Sequence, residues 1–333
     1  MKLFIVKDRE RMGSGYFVES FGGPEVMKWV DINLGILQPN SVRVEVKASG
    51  INFAEIRMRA GDYSGQPLPF VMGMEVAGIV DSVGDEVTDF SAGDHVFGRV
   101  RGAHAELVDC DPLHLMPIPT KLSFEEAAAI PVGWLTAWHA LYTVAGMCRD
   151  QRILVESVGG SVGSAALEIA LQEGCWVLGT ASSDDKLKQA KDRGAHAVVN
   201  YMEKSISEVA KETTQGEGID ISLMTIGSAT ADQLIDSMGM DGKVVMFGST
   251  GGREISFNLA IGILNLQLLS MSISTSPAFF EKTMPDFRER ALPLFENGEL
   301  SPVVDTILPM SELVRAHQMI EERNHYGKII LRN

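Results

Sequence analysis

Cysteine is scarce in this chain: Cys110, Cys148 and Cys175 are its three thiols among 333 residues, odd in number and far apart. That excludes a disulfide framework and points to reduced thiols in the cytoplasm. Positive charge is short too, with 29 Lys and Arg against 44 Asp and Glu and a formal net charge of −15. Nucleic acid and anionic membrane surfaces, both of which need clustered cations, are poor partners for such a chain. No apolar run reaches the roughly 20 residues of a membrane span. The stretch near 259–273 is broken by Asn265, Gln267 and two serines. The opening "MKLFIVKDRERMGSG" turns charged within seven residues, so no signal peptide is expected. The seven histidines sit singly, without metal-ligand spacing.

What is present is a globular composition, 45% hydrophobic, and enough chain for about two domains of ~100–200 residues. Up to about residue 120 the pattern is β-like. Candidate strands at 42–48, 75–83, 94–100 and 104–110 are separated by "GGP", "QPN" and "SAGD", a meander that closes into a barrel or sandwich. Ser123, followed by Glu125, Glu126 and alanines, opens a helix. From 150 onward, strands at 153–156, 177–180, 197–201, 219–224, 244–248 and 268–273 alternate with helical segments. That rhythm predicts a doubly wound parallel sheet. Helices near 284–298 and 311–324 and a strand at 327–332 close the chain.

The stretch "ILVESVGGSVGSAALEIAL", 153–171, runs from an apolar strand through glycines into a helix with one apolar face, Val162, Ala165, Ala166, Ile169 and Ala170. Gly160 admits a phosphate close to the backbone, and Gly163 admits close helix–strand contact. The free N–H groups of the first helical turn, at Ser161 and Val162, then form an anion site. The same turn also serves as a bare structural connection. About twenty residues on, the second strand ends in Thr180-Ala181-Ser182-Ser183, with Lys186 following. Hydroxyls and a lysine suit a 2′-phosphate, whereas an NAD site usually places a carboxylate there. This favours NADPH. Asp184 and Asp185 count against it unless they start the next helix, where acids are favourable, and Lys186 has the alternative of a solvated helix position.

Several stretches stand in the order of one family: "SGINFAEIRMRAGDY", "PFVMGMEVAGIVDSVGDEVTDFSAGDHVFG", "LSFEEAAAIPVGWLTAWHAL" and "GTASSDDKLKQAKDRGAHAVVNY". The chain resembles the zinc-independent quinone oxidoreductases, the zeta-crystallin-like branch of the medium-chain dehydrogenase/reductase superfamily. The resemblance implies a GroES-like β-rich catalytic domain from 1–120 and 273–333, and a Rossmann domain at 121–272 with NADPH in the cleft between them. It maps the family's A-x-x-G-x-x-G loop onto Ser157, Gly160 and Gly163, and its 2′-phosphate contacts onto Ser182, Lys186 and Tyr201. Thr136 falls near nicotinamide and pyrophosphate, and Gly248 and Ser249 fall beside the nicotinamide ribose. It also implies a dimer, and the strand 268–274 at the sheet edge is the expected interface, with a buried sixth strand as the alternative.

Zinc-dependent relatives carry a cysteine and a histidine where this chain has Asn52 and Met74, and 85–109 lacks the four-cysteine lobe. An amide and a thioether do not replace thiolate and imidazole for Zn²⁺, so no metal is expected. Without a Lewis acid, hydride addition to a quinone or conjugated enone or enal is easier than alcohol oxidation. Such a reductase needs only orientation and a donor on the carbonyl oxygen. Asn52 is a candidate donor or a turn residue; Tyr63 is a loop donor or a surface tyrosine. Arg57 stands where many family members have a tyrosine, and either binds an acidic substrate or faces solvent. His139 is a minor general-acid candidate, and Trp134 and Trp138 are packing residues. The competing function is a nucleotide-binding structural or vesicle-associated protein without turnover.

Overall fold

The computed structural model describes residues 11–63, 65–256 and 259–333, and the side chains of 257–260 are not described. The signal-peptide reading, which turns on residues 1–10, lies outside them. The chain forms two compact units, Met1–Val132 with Val304–Asn333, and Gly133–Val303.

In the first unit a seven-stranded sheet runs in the order Val304–Pro309, Lys328–Arg332, Val42–Gly50, Val76–Val83, His95–Gly98, Leu115–Pro117, and Leu107–Cys110 also pairs with Val42–Gly50. Period-two patterning explains the long third strand: Val42, Val44, Val46 and Ala48 all turn into the core. Each valine buried there stabilises the fold by about 1.5–3 kcal/mol relative to exposure. Arg43, between them, is also buried and holds Asp109 through Nε at 2.7 Å and Nη2 at 2.8 Å. A second sheet carries Lys28–Gly35, Arg11–Val18 and Phe70–Val71. The β-rich reading of this half therefore holds.

The second unit contains six parallel strands: Arg152–Val155, Trp176–Ala181, Ala197–Asn200, Ile219–Met224, Met238–Met246 and Gln267–Ser270. Numbered along the chain, they lie in the order 3-2-1-4-5-6, the doubly wound arrangement. Their near-continuous apolar runs fit burial on both faces, as at Ile153, Leu154 and Val155, none of which is exposed. The sixth strand stops at Ser270, short of the expected 273, and among the described residues it pairs only with the fifth.

The units divide at Val132 and Val303, not at 120 and 272. Aromatic packing is the reason. Trp134 meets Phe295 edge-on at 4.8 Å, Trp138 meets Phe287 at 5.3 Å, and Trp138 Nε1 donates to Asp286 at 2.7 Å. The helix Met284–Asn297 is thus bound to Gly133–Trp138 and belongs with the parallel sheet. Both tryptophans pack as the sequence predicts. His139 is buried among them, bonded at Nδ1 to Thr283 Oγ1 at 2.6 Å, and burial lowers its pKa, which leaves it a neutral packing residue.

Candidate active site

In the second unit, the C-terminal ends of the first, second, fourth and fifth strands are tied together at one edge of the sheet. Glu156, directly after the first strand, is fully buried, and its carboxylate accepts from Thr225 N at 2.7 Å, Ile226 N at 2.9 Å and Thr230 Oγ1 at 2.5 Å. Burial raises its pKa, and these three hydrogen bonds act the other way. Ser157 takes a left-handed conformation, φ +52°, and its Oγ accepts from Thr225 Oγ1 at 3.1 Å. Gly160 then donates its N–H to Ser157 O at 2.8 Å and caps the helix Ser161–Glu173.

The glycines are there for space. A Cβ on Gly163 would lie 2.2 Å from Ser157 O, and one on Gly248 would lie 2.4 Å from Thr225 O. A Cβ on Gly133 would strike Ser161 Oγ at 2.3 Å, so the short helix carrying Thr136 begins against the start of the glycine helix. The first-turn N–H groups of Ser161, Val162 and Gly163 face the loop end, where a helix N-terminus attracts an anion. The cradle fits a pyrophosphate.

The tip of the second strand fits a phosphate as well. Lys186 lies along the loop, since a Cβ on Gly159 would meet its Cδ at 2.9 Å and its Cβ at 3.1 Å. Ser182 is exposed, and Tyr201 is half-buried with its N–H on Ala181 O at 3.2 Å. Asp184 Oδ1 accepts from Asn200 Nδ2 at 3.0 Å. Ser249 is half-buried at the end beyond the fifth strand. Thr180 departs from expectation: its side chain is fully buried, and its carbonyl accepts the Val158 N–H at 2.9 Å, so it braces the loop from beneath. Glu156, Gly159 and Thr225 were missed by sequence reasoning; an acid directly after an apolar strand and before glycines was the available signal.

The first unit holds a buried polar network around Asn52. This residue precedes the helix Phe53–Ala60 and is only 8% exposed. Its Nδ2 donates to Glu55 Oε1 at 3.1 Å and Glu75 Oε1 at 2.8 Å, and its Oδ1 accepts from Lys328 Nζ at 2.6 Å. Lys328 also pairs with Glu75, and Glu75 Oε2 accepts the Val132 N–H at 2.7 Å. Both amide hydrogens of Asn52 are spent on buried carboxylates. The expected donation to a substrate carbonyl therefore finds no free amide hydrogen in this arrangement.

Next to it, Ser49 Oγ donates to Glu75 O at 2.7 Å and lies 2.9 Å from His104 Nδ1. A hydroxyl has one hydrogen, so His104 Nδ1 is the donor to Ser49. His104 Nε2 lies 2.6 Å from Glu55 Oε2, and this contact needs a proton between the two atoms. Burial by itself would raise Glu55, but the charge and hydrogen bond of His104 hold its pKa below the usual carboxylate range. His317 accepts from Arg59 Nη1 at Nδ1, 3.3 Å, and burial pushes it down to about 3.

Glu55, His104 and His317 bring three ligand-type atoms within 4.8 Å of one another. Their hydrogen bonds argue against a cation among them. His317 Nδ1 is taken by a guanidinium, so its Nε2 carries the hydrogen, and the Glu55–His104 gap already holds a proton. At the positions zinc enzymes use, Asn52 faces an ammonium and Met74 is a buried thioether. The residues present do not fit zinc.

Tyr63 is half-buried on the loop after the first helix, its carbonyl accepting from Gln66 N at 3.3 Å. Arg99 lies in its electrostatic reach. Burial lowers the Arg99 pKa, as does Arg101, while Tyr63 and Glu75 act the other way. Arg57 is half-buried rather than turned fully to solvent.

Comparison with known proteins follows this division. Residues 38–120 match the alcohol dehydrogenase GroES-like domain family and residues 161–297 the zinc-binding dehydrogenase family. A human quinone oxidoreductase is 32% identical over 322 residues, covering 94% of this chain and 96% of that protein. The solved quinone oxidoreductase of Pseudomonas syringae superposes with a TM-score of 0.88 at 27% identity, over 96% of this chain and 100% of the other. That of Escherichia coli, solved as a complex with NADPH, gives 0.87 at 29% identity, over 97% and 100%. The β-rich first unit and the doubly wound second unit, together with these matches, define a medium-chain dehydrogenase/reductase. Within that superfamily, the chain belongs to the zinc-independent quinone oxidoreductase branch and is an oxidoreductase using a nicotinamide coenzyme.

Proposed function

We propose that the protein is an NADPH-dependent reductase that delivers hydride to a quinone or to an electron-poor conjugated C=C of an enone or enal. One observation carries the coenzyme choice: Lys186 lies across Gly159 of the nucleotide loop, and the strand end before it carries an exposed Ser182. NADPH would supply the hydride, and the chain supplies binding and orientation. The glycine helix holds the pyrophosphate, Ser182, Lys186 and Tyr201 hold the 2′-phosphate, and Thr136, Gly248 and Ser249 line the nicotinamide end. Thr180 braces the loop. In the first unit, Tyr63 polarises the acceptor carbonyl with Arg99 beside it, and Asn52 keeps the first-helix backbone in place. The substrate class rests on the family and on donors that do not fit zinc, since unassisted alcohol oxidation lacks a Lewis acid. A homodimer through the edge strand Gln267–Ser270 is part of this reading.

The test is oxidation of NADPH at 340 nm by pure protein with 1,4-naphthoquinone and a panel of simple enones. Turnover with at least one acceptor is expected. NADPH binding without turnover on the whole panel sinks the reductase reading and leaves a nucleotide-binding protein.

A further inference from the structure

A pocket of about 470 Å³ opens on the first unit, lined by apolar groups of Ile32, Leu34, Phe70, Val71 and Leu107. Its size falls within the ~300–1,000 Å³ of small-molecule sites. Neither the nucleotide loop nor the Asn52 network contributes to it.

One cation in its lining lacks a partner. Arg101 is exposed and makes no hydrogen bond or ion pair among the described residues. Asp109, the acid in the same lining, does not neutralise it, because Arg43 already holds both its carboxylate oxygens at 2.7 and 2.8 Å. In a chain of net charge −15, a guanidinium left uncompensated beside an apolar hollow is a recognition element for an anion. The protein's overall field opposes anions, but screening over ~8 Å at physiological salt leaves the local cation dominant.

We propose that this pocket binds a small apolar carboxylate. Its hydrocarbon body lies against Leu34, Phe70 and Leu107, and its carboxylate pairs with Arg101. Every lining residue belongs to the first unit.

The probes are decanoate and 1-decanol, titrated below micelle formation into the full-length protein without NADPH. Calorimetry gives the affinity, and methyl-resolved NMR gives the location. Decanoate is expected to bind once per chain, shifting the methyls of Leu34, Val71 and Leu107. Arg101→Ala should weaken decanoate by ~10-fold and decanol by less than twofold. Leu34→Trp, which fills the hollow, should abolish both. Absence of saturable decanoate binding, shifts that lie elsewhere, or equal weakening of both probes by the exposed Arg101→Ala change overturns the proposal. None of these readouts depends on turnover or on coenzyme choice, so the reductase reading stands or falls separately.

Discussion

His104 Nε2 lies 2.6 Å from Glu55 Oε2, with both side chains fully shielded from solvent. The residues are 49 positions apart in sequence. A proton bridges the two atoms, and the pair is tied through Asn52 and Ser49 to the Glu75–Lys328 ion pair. Removing one partner exposes the other's desolvation cost. His104→Leu is expected to destabilise the fold by about 3–5 kcal/mol. Combining it with Glu55→Gln should recover part of that loss, because no buried charge is then stranded. Urea unfolding of the two single variants and the double variant measures the coupling; strict additivity would contradict the shared proton.

His317 makes stability depend on pH. Its ordinary pKa is about 6.5, and in the folded chain burial holds it near 3. Between those values the unfolded chain binds the extra proton. Stability from this residue is therefore full above about 6.5 and falls as pH drops toward 3, by at most ~1.4 kcal/mol per unit. His317→Gln, which keeps an acceptor for Arg59, should remove about 2 kcal/mol of the difference between pH 7 and pH 5. Glu55, whose folded pKa is lowered, contributes in a more acidic window and is lost as pH falls through that lowered value. Identical pH slopes for wild type and His317→Gln would show that His317 titrates normally.

Gly163 has no room for a methyl group, since its Cβ would sit 2.2 Å from Ser157 O. Gly163→Ala must displace the loop backbone and is expected to cost about 1–3 kcal/mol in stability. It should also weaken NADPH by more than ~10-fold, because the first-turn N–H groups lose alignment. Fluorescence titration of NADPH checks this against Gly160→Ala. There the nearest atom, Ser157 O, would be 3.3 Å from the new Cβ, so the effect should be smaller.

Lys186 separates the coenzymes. Lys186→Ala is expected to weaken NADPH by about 10–100-fold, the range of a charge-assisted hydrogen bond. NADH affinity should change less than about threefold. Equal losses for both coenzymes would make Lys186 a loop-packing residue only.

The edge strand Gln267–Ser270 pairs on one side only among the described residues. If a second copy adds to it, light scattering should give twice the 36.2 kDa chain mass. Leu269→Lys should then yield monomers. A monomeric wild type at micromolar concentration removes the edge-pairing interface.

The second unit was the more legible half. Short apolar runs between helical segments mark the strands of a parallel sheet. Gly163 acts through the missing Cβ, which is visible in sequence as it is in structure. Ser123 behaves as read, its Oγ accepting the Glu126 N–H at 3.2 Å at the start of Phe124–Ala128. Thr180 was misread because a strand tip has two faces, and register alone turns it inward. Asn52 was misread because its neighbours Glu75 and Lys328 are 23 and 276 positions away, and they consume the hydrogens a substrate would use.

By itself the sequence determined what is local and periodic: the order of strands, the glycine loop, the excess of acids and the lack of zinc-type donors at Asn52 and Met74. Tertiary structure decided what depends on who meets whom. It brought His104 and His317 together beside Glu55, moved the boundary to Val132 through the Trp134 and Trp138 contacts, and left Arg101 unpaired beside an apolar hollow. Backbone geometry is written in neighbouring residues, whereas protonation and pairing in a buried site are fixed by groups that the chain brings together from far apart.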